Sequence, residues 1–238
     1  AGPLSGNILV PILEIRHLGE DLGKLRPNVG FVSEHLQVGP QFTLQEFVAF
    51  YRTNFPNWNH QLFEQLIRDR KFNLKIYFSN CSRGQKMQFF LILALAQSPR
   101  LLFVDEVTSV LDFQAREYFM DKLNALVKNG GSVLITTNII SEVHWHTTDL
   151  VILKDHTAIF SGPRSELFAP YVKLQDDANS NVPSHPNAFY LGVDSIGKRS
   201  FLLPKKYLAD SFKQFVIDGG PNISDVFIYL TEMGHQVA

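Results

Sequence analysis

Short apolar runs of strand length alternate along this chain with longer segments whose apolar residues recur at helical spacing. Two runs constrain the fold most, because they are apolar or β-branched almost throughout: LLFVD at residues 101–105 and SVLIT at residues 132–136. Such runs are typical of parallel strands that are covered on both faces. Apolar spacing predicts helices at residues 86–97 and 114–127. Strands alternating with helices predict an α/β sheet with right-handed crossovers.

The part before residue 97 predicts two more strands and a pair of helices. The strands are expected at residues 7–10 and 28–32, and from residue 43 apolar residues recur every three or four positions. Pro56 lacks a backbone N–H and would clash with a preceding helical turn, so the first helix should end there and the second begin near Asn59. Ser82 is expected to cap the helix that follows.

The part after residue 140 predicts a helix near residue 141 and a strand at residues 150–153, after which the residue composition changes. Residues 176–186 are polar and rich in turn formers, which predicts a loop. Beyond it, residues 189–193 and 200–203 predict a hairpin, and residues 224–233 predict a terminal helix. We find no internal repeat.

Composition excludes several classes of protein. With 238 residues, 45% of them hydrophobic and 19% charged, the chain has the balance of a folded globular protein. A net charge of -1 gives no excess of basic residues for nucleic-acid phosphates. The single Cys81 cannot form an internal disulfide, and no Cys or His pairs have zinc-ligand spacing, which favours a cytosolic chain without structural metal. The longest apolar run, residues 89–96, is far shorter than the roughly 20 residues of a membrane-spanning helix, so any membrane contact is expected to be through partners.

Two neighbouring carboxylates end the strand at residues 101–105. Asp105 can hold Mg²⁺ directly or through water, and Glu106 can orient a water that attacks a phosphate. The alternative is an acidic pair that is merely solvated at a strand end.

The motifs CSRGQ at residues 81–85, LLFVDE at residues 101–106 and SVLD at residues 109–112 occur in an order and spacing that resemble the core of the ATP-binding cassette (ABC) ATPases. They correspond to the family's signature motif, its Walker B strand with the catalytic glutamate, and its D-loop. The resemblance runs from Ala1 and Gly2 to residues 225–227, and it is nearest to bacterial exporter-type cassettes.

The resemblance implies a P-loop NTPase-like ABC core of the α/β class with a helical subdomain and a small C-terminal α+β extension. We expect the core at residues 1–42 and 98–163, the helical signature subdomain at 43–97, a linker at 164–186 and the extension at 187–238. It also implies that ATP and Mg²⁺ are the cofactors. In the family the signature motif contacts the nucleotide of the opposite subunit, and the residues implied in nucleotide contact are Ser82, Gly84, Gln85 and Asp112. Ser82 could equally be an ordinary helix cap.

Three positions depart from the family. Arg83 stands where glycine is usual, and its side chain could crowd the approach to a phosphate. Asn138 occupies the place of the switch histidine, and an amide can donate to a phosphate but does not titrate near neutral pH. His144 and His146 are nearby in sequence but are expected to be surface or packing residues. Glu34 takes the place of the Q-loop glutamine, where it could bind the metal or be an exposed carboxylate with no ligand.

The phosphate-binding loop is the fourth and largest departure, since the motif G-x-x-x-x-G-K-[ST] does not occur in the 238 residues. Gly23–Lys24 lacks both the preceding glycine and the following hydroxyl, and we interpret it as a surface loop. Because Ala1 and Gly2 already match the family just after the phosphate loop, we expect that an N-terminal segment is omitted, and the alternative is a degenerate cassette.

The sequence therefore favours an ATP-binding subunit of an ABC transporter that couples ATP binding and hydrolysis to export. The alternative is a non-catalytic cassette that acts as an interaction or regulatory partner. Expected partners are membrane-spanning subunits and a second ABC domain, with no nucleic acid, at the cytoplasmic face of the cell membrane. The segment at residues 43–71 is expected either to dock on a membrane subunit or to pack in the core, and the aromatic residues that suggest docking are Phe47, Phe50, Tyr51, Phe55 and Trp58.

Overall fold

The computed structural model describes residues 26–34, 36, 41–140, 147–177 and 185–233. The strand expected at residues 7–10, the Gly23–Lys24 pair, the helix near residue 141 and both His144 and His146 fall outside these residues. The chain divides after Asn138 into two compact units, Ala1–Asn138 and Ile139–Ala238.

The first unit is built on a parallel sheet with the strand order β1-β2-β3. Its elements are β1 (Val29–Ser33), α1 (Leu44–Asn54), α2 (His60–Asp69), α3 (Arg83–Ala96), β2 (Leu101–Asp105), α4 (Phe113–Lys128) and β3 (Ser132–Thr136). In register, Ser33 is opposite Asp105 and Asp105 is opposite Thr136. The carboxyl ends of all three strands therefore meet at one edge of the sheet.

Local sequence signals set the ends of the helices in this unit. Thr43 and Glu46 form a capping box at the start of α1, and the side chain of Asn59 caps α2. The α1 helix ends at Asn54 with Phe55 as its C-cap, immediately before Pro56. These boundaries confirm the predicted break between the two helices.

The core of the first unit surrounds α3. All ten residues from Met87 to Ala96 are buried, as is expected for a helix that is apolar on every side. Leu102 and Val104 of β2 and Phe119 of α4 belong to the same hydrophobic cluster. Each such side chain contributes about 1.5–3 kcal/mol when it is fully buried.

The aromatic residues of α1 and the following turn are divided between core and surface. Phe47, Tyr51 and Trp58 pack against the core, and the Phe55 ring stacks on Tyr51 with centroids 5.1 Å apart. Phe50 is 54% exposed. Most of the aromatic content that suggested a docking surface thus serves packing, and Phe50 remains available at the surface.

In its described residues, the second unit combines a β-hairpin, a three-stranded sheet and two α-helices. Its elements are β4 (Asp149–Lys154), β5 (Thr157–Pro163), α5 (Arg164–Phe168), β6 (Tyr171–Asp177), β7 (Phe189–Val193), β8 (Lys198–Pro204) and α6 (Ile223–Met233). Strands β4 and β5 pair in antiparallel fashion, and the other sheet is antiparallel with the order β6-β8-β7. The predicted hairpin and terminal helix correspond to β7–β8 and α6.

The second unit begins earlier than the sequence suggested. We expected the core to continue to residue 163, but Leu150 and Ile152 of β4 pack with Leu202 of β8 and Val226 of α6. Residues 164–177, expected to belong to a linker, form α5 and β6. The polar composition at the end of β6 was misleading, because Asp176 is 3% exposed and its carboxylate binds the guanidinium of Arg199.

No helix in the described ranges has the combined length and apolar character that a bilayer crossing requires.

Candidate functional site

The Asp105 carboxylate is held from both sides by hydroxyl groups of the neighbouring strands. Ser33 Oγ donates to Oδ2 at 3.1 Å, and Thr136 Oγ1 donates to Oδ1 at 2.6 Å. Both contacts follow from the register, which aligns these three residues at the edge of the sheet. The sequence signalled Asp105 but not its two supports. Two donors to one carboxylate fix its orientation.

Glu106 begins the turn that leaves β2, and its backbone is in the left-handed region with φ 52°. Its N–H donates to the Thr136 carbonyl at 3.1 Å, and its own carbonyl accepts from Ser109 Oγ at 2.8 Å. A non-glycine residue in this conformation is uncommon and costs about 1–3 kcal/mol. The turn thus leaves the exposed Glu106 side chain next to Asp105, at the carboxyl edge of the sheet.

The signature residues begin α3 through a reciprocal capping box. Ser82 Oγ accepts from the Gln85 N–H at 3.2 Å, and Gln85 Oε1 accepts from the Ser82 N–H at 2.8 Å. The expectation of a cap at Ser82 is therefore confirmed, and Gln85 shares in it. A hydroxyl that accepts one hydrogen bond keeps its own proton for donation, so capping leaves Ser82 able to contact an anion.

Gly84 lies where the signature helix approaches the loop before Asp112. A Cβ at this position would be 3.1 Å from the Val110 carbonyl oxygen, which is tighter than ordinary contact. Asp112 caps α4 by accepting from the Ala115 N–H at 2.7 Å. Glycine at residue 84 therefore allows the two predicted motifs to approach each other closely.

The four residues implied in nucleotide contact line one groove of about 660 Å³. The same groove is lined by Arg70 and Lys71, which sequence analysis did not single out. Both residues directly follow α2, and their positive charge is the sequence feature that could have suggested a phosphate-binding role. The groove therefore combines the hydroxyl and amide groups of the signature motif with two cations.

A hydrogen-bonded cluster joins this groove to α4. Arg70 Nε donates to Gln88 Oε1 at 2.9 Å, and its guanidinium lies 5.4 Å from the centre of the Tyr118 ring. The Tyr118 hydroxyl donates to Asp69 Oδ2 at 2.7 Å. Burial, and then the hydrogen bond to Asp69, raise the pKa of Tyr118 well above its usual value. The cluster links the end of α2 to both α3 and α4.

Glu34 forms an ion pair with Arg83, which follows Ser82 at the start of α3. The sequence left Glu34 as either a metal ligand or an exposed carboxylate with no ligand, and it did not predict this pair. Asn138 is exposed two residues beyond the end of β3, so its position in the chain brings it to the sheet edge that carries Asp105. The candidate residues thus form two groups, one at the sheet edge and one in the groove, with the ion pair between them.

The donor set at the sheet edge suits a magnesium ion that is shared with phosphates. The described residues contain no cluster of three or more His, Cys, Asp or Glu side chains that could enclose a metal. Mg²⁺ usually takes one or two protein carboxylates and completes its shell with waters and substrate phosphates. Asp105, oriented by two hydroxyls, fits that arrangement, and Glu34 and Glu106 offer further oxygen atoms.

The sequence model of the ABC transporter family matches residues 2–109. A curated relative, the Nod factor export ATP-binding protein I of Rhizobium johnstonii, is 24% identical over 87% of this chain and 71% of its own length. The arginine transport ATP-binding protein ArtM of Bacillus subtilis is 26% identical over 74% of this chain and 76% of its own length. A Burkholderia lata Nod factor export relative is matched over only 51% of its length.

Two solved structures share the fold. One is the ATP-binding subunit of an ABC transporter, with a TM-score of 0.56 and 19% identity over 61% of this chain and 63% of that chain. The other is a dimeric ATP-binding cassette in a post-hydrolysis state with ADP and Pi, with a TM-score of 0.52 and 20% identity over 60% of this chain and 66% of that chain. The predicted α/β fold of the ABC ATPases is thereby confirmed. The matched motifs, the relatives and the shared fold make this chain similar to the nucleotide-binding domains of ABC transporters.

Proposed function

We propose that this chain is the ATP-binding subunit of an ABC transporter and that it couples ATP binding and hydrolysis to export through membrane subunits. The observation that carries the proposal is the Asp105 carboxylate, which Ser33 and Thr136 orient at a sheet edge beside Glu106. A solvated acidic pair would not need two hydroxyl supports from separate strands.

Each residue of the sheet edge has a distinct task in this proposal. Mg²⁺ would supply positive charge that neutralises the phosphates of bound ATP. Asp105 would hold the ion, while Glu106 would orient the attacking water from its turn beyond the strand. Glu34 could offer a further oxygen atom to the ion in place of its pair with Arg83. Asn138 donates its amide N–H to the terminal phosphate, a task that does not require titration.

The groove residues act on the nucleotide of a facing subunit. The Ser82 hydroxyl and the backbone N–H groups at the start of α3 donate to phosphate oxygens, helped by the positive end of the helix dipole. Gln85 shapes this end of α3 through its capping contact, and Asp112 caps the start of α4 at the same groove. The functional unit is then a dimer, with either a second copy or a different ABC domain.

Membrane-spanning subunits are the other proposed partners, which would place the chain at the cytoplasmic face of the membrane. The exposed Phe50 on α1 is the proposed contact in the helical segment, because the neighbouring aromatic residues are already packed. Export is favoured by the Nod factor export relatives, although relatives from arginine and methionine transport also match.

A non-catalytic partner cassette is the second candidate. It is favoured by Arg83 in place of glycine and by Asn138 in place of histidine. Such a chain would supply its groove to a competent partner and would not hydrolyse ATP at its own sheet edge.

The test is the magnesium dependence of ATP hydrolysis by the product of the complete gene. Asp105→Asn removes the charge that holds the ion and should raise the Mg²⁺ concentration for half-maximal turnover at least about tenfold, equivalent to about 1.4 kcal/mol of lost binding. Asp121→Asn, which changes an exposed carboxylate of α4, is the matched control. Equal magnesium dependence in the two variants would favour the non-catalytic candidate.

A further inference from the structure

A half-open cleft of about 540 Å³ lies within the second unit, lined by α5, β6 and the loop before α6. Small-molecule sites in proteins commonly have volumes of about 300–1,000 Å³. None of the residues assigned to the candidate nucleotide site lies in this cleft.

Backbone contacts hold the walls of the cleft around the edge strand β6. The Lys205 N–H donates to the Pro170 carbonyl at 2.7 Å, and the Ile217 N–H donates to the Lys173 carbonyl at 3.1 Å. Gly219 and Gly220 then turn the chain towards α6 with φ values of 90° and 67°. A Cβ at either glycine would meet no atom within 4 Å, so glycine is needed there for backbone conformation and not for space.

The charged groups that line the cleft are all positive. They come from three separate elements, Arg164 at the start of α5, Lys173 in β6 and Lys205 directly after β8, and no acidic side chain lines the cleft. Three separate segments of the chain thus bring basic side chains to one concave surface, which favours an anionic ligand over a cationic one.

Lys173 is fixed in place by a mostly buried ion pair. Its Nζ lies 2.9 Å from Asp225 Oδ2, and the two side chains are 17% and 11% exposed. Asp225 also accepts from the Asn222 N–H at 2.9 Å, as part of the cap of α6. This wall of the cleft is therefore preorganised, which lowers the cost of binding a ligand.

The remaining lining is partly apolar. Phe168, Tyr171, Val172 and Val216 contribute to it. A bare inorganic ion would leave these surfaces in contact with water, whereas a molecule with a short apolar part would cover them.

We propose that this cleft binds a small organic anion, a molecule with a carboxylate or phosphate group and a short apolar part. The site is distinct from the proposed nucleotide site and goes beyond the proposed function.

The probes are benzoate and phenyl phosphate, which differ in the anionic group, with benzyl alcohol as the uncharged counterpart. Each is titrated into the ¹⁵N-labelled 238-residue chain at low ionic strength, and amide shifts are followed at Lys173, Gly219 and Gly220. We expect saturable shifts with at least one anion and none with benzyl alcohol, and the better anion identifies the preferred group. Saturation by neither anion, or equal binding of benzyl alcohol, would overturn the proposal.

Adjacent lysines provide a matched pair of variants. Lys205 lines the cleft, while Lys206 lies over the Tyr207 ring at 4.9 Å and does not. Lys205→Gln keeps the backbone contact to Pro170 and should weaken binding of the better probe about 3- to 10-fold. Lys206→Gln should leave the affinity within about twofold. An equal loss in both variants would mean a diffuse charge effect and would contradict a site at the cleft.

Discussion

Glu34 and Arg83 form an ion pair across 49 positions of sequence, linking the end of β1 to the first residue of α3. The pair joins the sheet edge that carries Asp105 to the signature helix that lines the groove. It also occupies the carboxylate proposed for the metal and the guanidinium that stands in place of the family's glycine. Mg²⁺ at the sheet edge would compete with Arg83 for Glu34.

The first prediction concerns the strength of this pair. Its side chains are 22% exposed for Glu34 and 65% exposed for Arg83, so solvent screens the interaction. A double-mutant cycle with Glu34→Gln and Arg83→Gln should give a coupling free energy of about 0.2–1 kcal/mol in urea unfolding at low salt. The coupling should shrink in about 1 M salt, where the Debye length is about 3 Å.

The ion pair of Glu64 and Arg68 is the control for this cycle, because its two residues lie one turn apart in the same helix, α2. A double-mutant cycle on this pair should also give a small coupling free energy. Hydrogen exchange should separate the two pairs: Glu34→Gln should increase exchange at the start of α3, and Glu64→Gln should not. Identical exchange in both variants would contradict a link between sheet edge and signature helix.

The second prediction concerns Tyr118, whose pKa is raised by burial and by its hydrogen bond to Asp69. A raised pKa in the folded state means that the unfolded chain loses this proton first, at its ordinary value near 10. The stabilising contribution of Tyr118 to the free energy of unfolding is therefore complete below about pH 10, and it is lost as the pH rises towards the pKa of Tyr118 in the folded state.

Tyr118→Phe should lower the free energy of unfolding by about 0.5–1.5 kcal/mol at pH 8, through loss of one hydrogen bond. The difference in the free energy of unfolding between Tyr118→Phe and the unsubstituted protein should become smaller above pH 10, because only the unsubstituted protein carries this titrating group. Burial also raises the pKa values of Tyr171 and Tyr229, but both proteins retain these groups. A constant difference between pH 8 and pH 11 would refute the assignment.

The third prediction is that the 238-residue chain binds ATP with a dissociation constant of about 1 mM or weaker, about -4.1 kcal/mol. The amide cradle and lysine of a phosphate loop normally supply most phosphate contacts, and the motif does not occur in these residues. Isothermal titration calorimetry with and without Mg²⁺ measures this affinity. Tight binding that depends on magnesium would mean that other groups, such as Arg70 and Lys71 in the groove, provide the phosphate contacts.

The helix boundaries were most predictable where a single residue carries a local signal. Ser82 was predicted as a cap because its hydroxyl bonds within one helical turn, and Pro56 marked a break because its own ring forbids the helix. The carboxylate of Asp105 was found because it ends an apolar run. These signals depend on neighbours in the sequence.

Contacts between distant segments were not predictable in the same way. The Glu34–Arg83 and Tyr118–Asp69 pairs each join residues 49 apart, and nothing in a single sequence selects these partners from other charged or polar residues. Asp176 was predicted to be a loop residue, but it lies in β6 and its carboxylate forms a buried contact with Arg199. Which polar residues pair with each other therefore had to come from the structure.

The central claim is that Glu106 orients the attacking water, and its most direct test is single-turnover ATP hydrolysis by the product of the complete gene and its Glu106→Gln variant. Glu117→Gln, an exposed change on α4, serves as the control. The account predicts that Glu106→Gln lowers the rate at least about 100-fold, within the range of about 10²–10⁴ for a positioned acid or base. ATP should then remain trapped in a dimer, while Glu117→Gln retains the native rate. Hydrolysis that is unchanged by Glu106→Gln would contradict the catalytic assignment and favour the partner cassette.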